Sequence, residues 1–160
     1  MLVERRLRIL RGLAFGSALS VFGTIVMGGY TSASGAGLAC PDWPLCNGAL
    51  VPNLRQPEVA AEYAHRLFAL SAGIFILGTL LAAVFWFRSD RRILFLSLAS
   101  FVLLVAQVTL GMLAITSRLN PVVVTSHLAI GTATFAFTLL LAAVIRLTAP
   151  RGVRGGPSLG

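Results

Sequence analysis

The chain contains two histidines, His65 and His127, and each lies within a long apolar stretch. An ionisable side chain inside a membrane-type segment is costly, so a functional role is its default interpretation. A neutral imidazole offers a ring nitrogen to a metal, and two imidazoles can bind the iron of a heme from opposite faces. The pair therefore predicts a bis-histidine heme site with His65 and His127 as axial ligands.

A structural explanation of the histidines competes with this one. A single histidine in a membrane helix more often forms a hydrogen bond to a neighbouring helix. Two matched histidines favour heme, since the sequence places no acidic cluster or third histidine beside them, as zinc or non-heme iron would need. Covalent heme attachment is not expected, because neither cysteine belongs to a Cys-x-x-Cys-His sequence.

The depth of the two histidines supports a shared site. Counted from helix starts at Pro57 and Pro121, His65 comes eight residues later and His127 six. A rise of about 1.5 Å per residue places them roughly 12 and 9 Å from the helix ends. We therefore expect both imidazoles at one level of a helical bundle.

Glu62 precedes His65 by three residues, so the two side chains leave one face of a helix. A carboxylate at this position can orient the imidazole or accept protons during catalysis. It can equally be an interfacial glutamate that pairs with Arg66. Both interpretations stay open at this point.

Arginines and cysteines complete the candidate site. Arg55, Arg66 and Arg118 lie where heme propionates would emerge, and a guanidinium binds a carboxylate through two parallel hydrogen bonds. Snorkelling to the membrane interface is the alternative for Arg55 and Arg118. Cys40 and Cys46, the only cysteines, are either a structural disulfide or a redox-active pair.

The elements that must position these residues are four apolar stretches, each near the roughly 20 residues that cross a bilayer as a helix. We predict an all-α membrane protein, a bundle of four transmembrane helices built from two helical hairpins. The helices form one domain over residues 1–150, with an outer loop at 31–60 and a flexible tail at 151–160. Their predicted spans are 12–30, 61–87, 93–115 and 121–147.

Charge predicts the orientation in the membrane. Ten of the thirteen basic residues, all arginines, border one side of the bundle. The positive-inside rule makes that side, with both termini, cytoplasmic, and places the histidines and the cysteine loop toward the extracytoplasmic face of the cell membrane. The first stretch is long for a secretory signal, so we expect it to remain as a helix. No basic run is interleaved with aromatics, so nucleic acid is not an expected partner.

These residues together resemble the heme A synthase family. Four stretches match, and in chain order they are Gly28-Gly29-Tyr30-Thr31 with Ser34 to Leu38, Trp43 to Gly48, Glu62-Tyr63-Ala64-His65-Arg66, and Gln107 to Gly111 followed by Pro121 and Thr125 to Leu128. The resemblance implies oxidation of the methyl group of heme O to the formyl group of heme A. It implies a catalytic Glu62, heme ligation by His65 and His127, and a functional loop carrying Cys40 and Cys46.

The chain departs from the family in length. Typical members join two four-helix halves, one for the substrate heme O and one for a cofactor heme b, and this sequence supplies one half. We therefore expect a homodimer or higher homo-oligomer, with heme O synthase as a further possible partner. Ser32 stands where many relatives have arginine. Two other functions stay open, an electron-transfer membrane cytochrome with heme b and a heme-free assembly or transport protein.

Overall fold

The computed structural model describes residues 1–148. Its four long helices are α1 (Leu2–Ala33), α2 (Pro57–Trp86), α3 (Arg91–Thr116) and α4 (Pro121–Leu147). All four are long and apolar enough to cross a membrane. These helices confirm the predicted all-α class and make the chain a multi-pass membrane protein; the cytoplasmic placement of the termini stays a prediction.

The helix bounds differ from the predicted ones mainly at the first helix. Helix α1 begins at Leu2, ten residues before the predicted position 12, and α2 begins at Pro57 instead of 61. Hydropathy detects only the apolar part of a helix, whereas arginine is a good helix former and extends α1 beyond it. Arg6 lies over the ring of Trp86, 5.8 Å from its centroid. The predicted outer loop shortens to residues 34–56, and the predicted tail lies outside the described residues.

The helix starts have local causes. Pro57 and Pro121 each occupy the first turn of a helix, where the missing N–H of proline costs nothing. Asp90 caps α3 by accepting from the N–H groups of Arg92 and Ile93 at 3.1 and 3.3 Å. Asn120 caps α4 by accepting from the N–H of Val122 at 3.0 Å. The connections that end at Asp90 and Asn120 are short, and short connections join antiparallel helices in a bundle.

The bundle is most tightly packed at the end that holds the N-terminus. A cluster of buried apolar side chains there draws on all four helices: Leu7, Leu10, Ala14, Ala82, Ala83, Ile93, Leu96, Leu141 and Ile145. Arg11 of α1 adds a polar connection, donating to the carbonyl oxygens of Ile145, Arg146 and Thr148 at 3.0–3.4 Å. A cation at these carbonyls complements the C-terminal end of the α4 dipole.

The predicted hairpins are present. Helix α1 packs most extensively on α2, and α3 on α4, while the two hairpins meet chiefly through α1 and α4. A hydrogen bond of 3.2 Å between the hydroxyls of Ser17 and Thr79 joins α1 to α2 in the interior. Four of the large aliphatic side chains that are fully buried belong to the cluster at the end of the bundle that holds the N-terminus: Leu10, Ile93, Leu141 and Ile145. The histidines occupy the opposite half.

Candidate functional site

The structure places both predicted ligands in the same half of the bundle. His65 lies on α2 and His127 on α4, and these helices begin at Pro57 and Pro121, the starts from which matched depth was predicted. Both imidazoles are half-buried. Each ring turns toward the preceding helix of its own hairpin.

His65 fits against a glycine of α1. A Cβ atom added at Gly28 would lie 2.9 Å from Cε1 of His65, so only glycine leaves room for the ring. Nδ1 of His65 lies 3.1 Å from the carbonyl oxygen of Thr24. Because a carbonyl can only accept, Nδ1 carries the ring proton in the neutral imidazole. Nε2 then keeps a lone pair that can bind a metal.

His127 repeats this arrangement in the second hairpin. A Cβ atom at Gly111 of α3 would lie 3.3 Å from Cε1 of His127. The backbone carbonyl of Gln107, four residues before Gly111, lies near the His127 ring, at the position that corresponds to Thr24 in the first hairpin. Within residues 1–148, however, Nδ1 of His127 is buried and has no hydrogen-bond partner. Each hairpin thus contributes one imidazole, which packs against a glycine of the preceding helix.

The donor set suits heme better than a bare metal ion. Among the described residues, no group of three or more histidine, cysteine, aspartate or glutamate side chains could enclose an ion. A porphyrin supplies four equatorial nitrogens itself and needs only axial donors from the protein. The neutral imidazoles of His65 on α2 and His127 on α4, each with a ring nitrogen that has no hydrogen-bond partner among the described residues, are donors of the kind that such axial positions take.

Glu62 lies one turn before His65 on α2 and is buried, with 6% of its surface exposed. Its Oε1 accepts a hydrogen bond from Nε of Arg66 at 2.9 Å, and the two groups form an ion pair. The ion pair that the i, i+4 spacing allowed is therefore present. A second role for the carboxylate in orienting His65 or accepting protons remains a prediction.

Arg66 reaches from α2 into the cysteine loop. Its Nη1 donates to the carbonyls of Asp42 and Leu45 at 2.9 and 2.5 Å, and its Nη2 donates to the carbonyl of Cys40 at 2.7 Å. The nitrogens of Arg66 already donate to the loop carbonyls and to Glu62. A propionate at Arg66 would therefore have to share these donors. Arg55 and Arg118 are exposed. Propionate binding stays a prediction for all three arginines.

The cysteine loop is a folded cap. Cys40 and Cys46 form a disulfide, and both are buried together with Val59 of α2; a redox role for this pair stays a prediction. The carboxylate of Asp42 accepts from the backbone N–H groups of Gly48 and Asn47 at 2.7 and 2.6 Å. These two bonds, the one from Gly48 above all, hold the pKa of Asp42 below its ordinary value of 3.8.

Sequence reasoning missed the surroundings of the imidazoles. The sequence analysis identifies Gly28 and Gly111 only as members of the matching stretches, whereas the structure places each against a histidine ring. Their position shortly before a Thr-Ser pair in both hairpins was the available signal. No signal in the sequence pointed to the carbonyl of Thr24, because every residue type has a backbone carbonyl.

Comparison with known proteins assigns the family. Residues 11–159 match the model of the COX15-CtaA family, described as cytochrome oxidase assembly protein. The chain is 35% identical over 141 residues to proteins named heme A synthase from Bacillus mycoides strain KBAB4 and Bacillus cereus strain AH187. The match covers 86% of this chain and 45% of each relative, so the chain spans about half the length of these curated relatives. This four-helix chain belongs to the COX15-CtaA family of cytochrome oxidase assembly proteins.

Proposed function

We propose that this protein takes part in heme A synthesis, as an oxidoreductase that converts the methyl group of heme O to the formyl group of heme A. The observation that carries the proposal is a pair of imidazoles that each pack against a glycine, His65 against Gly28 and His127 against Gly111. The buried Glu62 lies one helical turn before His65. The family match and the names of the curated relatives support it.

The reaction balances with water as the oxygen source. A methyl group and one water become a formyl group, four protons and four electrons. A heme b cofactor held by the histidines would supply one-electron transfer chemistry, and the reaction needs an oxidant, for which we propose the quinone class, to take up the four electrons. Protein residues then have two tasks, which are to hold the hemes and to accept protons.

His65 and His127 perform the first task. With its Nδ1–H bonded to the carbonyl of Thr24, His65 keeps Nε2 as its ligating nitrogen, and this bond also fixes the orientation of the ring. Glu62 performs the second task as the acceptor of protons released near His65. The guanidinium of Arg66 holds this carboxylate in place through the 2.9 Å bond to Oε1.

The decisive experiment is a pigment analysis with matched variants. The chain is expressed with a heme O synthase in cells that lack heme A, and the extracted hemes are separated by chromatography. We expect heme A from the wild type, and loss of heme A with retained heme binding from Glu62→Gln. Glu58→Gln is the control, because Glu58 lies one turn earlier on α2 and is exposed.

Other outcomes discriminate the remaining functions. Retained heme with no heme A from the wild type would reject the synthase and favour a heme b electron-transfer cytochrome. Absence of any pigment would reject heme ligation by His65 and His127. Loss of pigment from both His65→Ala and His127→Ala, with folded protein recovered, supports ligation.

A second four-helix unit completes the proposed enzyme. The curated relatives are about twice as long as this chain, which leaves room in them for another unit of its size. We propose that a second copy of this chain supplies the second four-helix unit. We also propose that heme O synthase is the partner that delivers the substrate. Co-expression of Glu62→Gln and His127→Ala chains tests the homodimer. Recovery of heme A by the mixture supports it, and an inactive mixture with a monomeric mass in detergent contradicts it.

The proposed heme site faces the extracytoplasmic side of the cell membrane. Ser89→Cys, in the turn between α2 and α3, and Arg118→Cys, in the turn between α3 and α4, mark the two ends of the bundle. A membrane-impermeant maleimide added to intact cells should label the cysteine at position 118 and leave the one at position 89 unlabelled. The reverse pattern would place the histidines on the cytoplasmic side.

A further inference from the structure

The start of α1 and the turn between α2 and α3 meet at the end of the bundle that holds the N-terminus. Leu7 of α1 packs with Ala83 of α2 and Ile93 of α3 in one buried cluster. Arg6 of α1 lies over the ring of Trp86, the last residue of α2, with 5.8 Å between its guanidinium carbon and the ring centroid. The fold therefore brings the arginines of two segments that are far apart in the chain to one end of the bundle.

These arginines are exposed and have no acidic partner. We call them the basic surface, which consists of Arg5, Arg6, Arg8, Arg88, Arg91 and Arg92. None of them forms an ion pair with a carboxylate of residues 1–148. The same segments contain two carboxylates, Glu4 and Asp90, and that of Asp90 already accepts from the backbone of Arg92 and Ile93. The basic surface thus carries a positive charge that its own segments do not neutralise.

The opposite end of the bundle has no such excess of charge in its sequence. It contains three arginines and three carboxylates, which are Arg55, Arg66 and Arg118, and Asp42, Glu58 and Glu62. Arg66 and Glu62 form an ion pair there. A negatively charged partner is therefore expected at the basic surface and not at the end that carries the cysteine loop.

Apolar neighbours of the basic surface indicate that this partner is lipid. Ile9 follows Arg8, and Phe85 and Trp86 come shortly before Arg88; their exposed fractions are 40%, 73% and 38%. All three belong to helices that are long and apolar enough to cross a membrane, so their exposed side chains meet the bilayer. Tryptophan is enriched at the membrane interface, and arginine extends its guanidinium to the same level. The arginines of the basic surface consequently lie among lipid headgroups.

We propose that the basic surface binds the phosphate groups of anionic phospholipids, with Arg6 and Trp86 at its best-defined position. A guanidinium donates two parallel hydrogen bonds to a phosphate. Phosphatidylglycerol keeps the negative charge of its phosphate, whereas phosphatidylcholine offsets it with a choline cation, so the surface selects phosphatidylglycerol. No residue of the proposed heme site takes part, so failure of this inference and failure of the proposed function can be told apart.

Quenching of tryptophan fluorescence tests which lipid lies against this surface. The chain has two tryptophans, so Trp43→Phe leaves Trp86 as the single reporter. This variant is reconstituted in vesicles of phosphatidylcholine and phosphatidylglycerol in equal amounts, and the acyl chains of one lipid or the other carry bromine as the quencher. We expect phosphatidylglycerol to occupy the position beside Trp86 roughly fivefold more often than phosphatidylcholine. Equal quenching by the two lipids would overturn the proposal.

Removal of guanidiniums near the reporter should abolish the preference. In the Trp43→Phe background, Arg6→Gln combined with Arg88→Gln should reduce the ratio to below about twofold. Arg118→Gln is the matched control, because it removes an exposed arginine from the opposite end, and it should leave the ratio unchanged. A full preference in the double variant would reject these arginines as the lipid ligands.

Two measurements need no arginine substitution and cover the case in which such variants fail to fold. Raising the salt concentration from about 0.1 to about 1 M should at least halve the preference at Trp86, because salt screens exposed charges. Trp86→Phe leaves Trp43 of the cysteine loop as the reporter, and it should show no preference. An equal preference at Trp43, or one at Trp86 that resists salt, would contradict selection by the basic surface.

Inorganic phosphate distinguishes the lipid from a soluble ligand. Added at constant ionic strength, it should leave the preference at Trp86 unchanged, because it lacks the acyl chains that hold a headgroup beside the helices. Loss of the preference on addition of phosphate alone would assign the basic surface to a soluble phosphate compound and overturn the lipid proposal.

Discussion

Arg66 lies one helical turn after Glu62, and its Nε is 2.9 Å from Oε1 of that carboxylate. Both side chains are largely buried, with exposed fractions of 15% and 7%. The remaining nitrogens of Arg66 bind carbonyl oxygens of the loop closed by the disulfide. One guanidinium thus connects the proposed catalytic carboxylate to the loop above it.

Removal of this guanidinium should destabilise the protein. Arg66→Gln leaves Glu62 as a buried charge without a partner, for which a loss of about 3–5 kcal/mol is typical. Arg66→Lys keeps the charge but cannot form the planar set of hydrogen bonds, so an intermediate loss is expected. Unfolding in detergent measures both variants. Arg118→Gln is the control, since Arg118 is exposed, and an equal effect of the two glutamine substitutions would contradict the buried connection.

The glycine beneath His65 should be intolerant of a methyl group. Gly28→Ala places a Cβ atom 2.9 Å from Cε1 of His65 and should displace the ring at a cost of about 1–3 kcal/mol, seen as weaker heme binding. Gly111→Ala should have a smaller effect, because the corresponding distance to His127 is 3.3 Å. Gly29→Ala is the matched control, with no atom within 4 Å of its Cβ. Equal heme affinities of the Gly28→Ala and Gly29→Ala variants would contradict the close contact between Gly28 and the ring of His65.

The disulfide should stabilise the loop and act together with Arg66. The Cys40→Ser, Cys46→Ser double variant opens a short covalent loop, and we expect a loss of about 2 kcal/mol in the free energy of unfolding. Since Arg66 donates to the carbonyl of Cys40, combining this variant with Arg66→Gln should give less than the sum of the two losses, by at least about 0.5 kcal/mol. Strict additivity would show that the disulfide and Arg66 act independently.

Acid should loosen the turn that follows the disulfide. Backbone N–H groups of Gly48 and Asn47 hold the pKa of Asp42 below 3.8, so its folded-state pKa is lower than its unfolded one. The stabilisation from these bonds is therefore complete above about pH 3.8 and is lost as the pH falls through the lowered pKa. Amide hydrogen exchange at Asn47 and Gly48 should accelerate relative to Leu94 in that range. Asp42→Asn should show fast exchange at neutral pH, and slow exchange in this variant would contradict the assignment.

The sequence by itself determined the features that depend on neighbours along the chain. Apolar length predicted four membrane-crossing helices, and Pro57 and Pro121 set the start of the two that carry His65 and His127. A four-residue spacing placed Glu62 and Arg66 within reach of one another. These predictions succeed because a helix imposes a fixed rise and rotation on each residue, and because a bilayer requires every backbone group to be satisfied within its segment.

The tertiary structure alone decided what surrounds those residues. The ring of His65 meets Gly28 and the carbonyl of Thr24, which is 41 positions away in the chain, and Arg66 meets the carbonyl of Cys40, 26 positions away. Such contacts depend on how neighbouring helices rotate and how a loop folds back, which no local period encodes. Backbone carbonyls supply several of them, and a carbonyl is the same in every residue. The positions of the two histidines along their helices therefore follow from the sequence, whereas the orientation of their rings results from the packing of helix on helix.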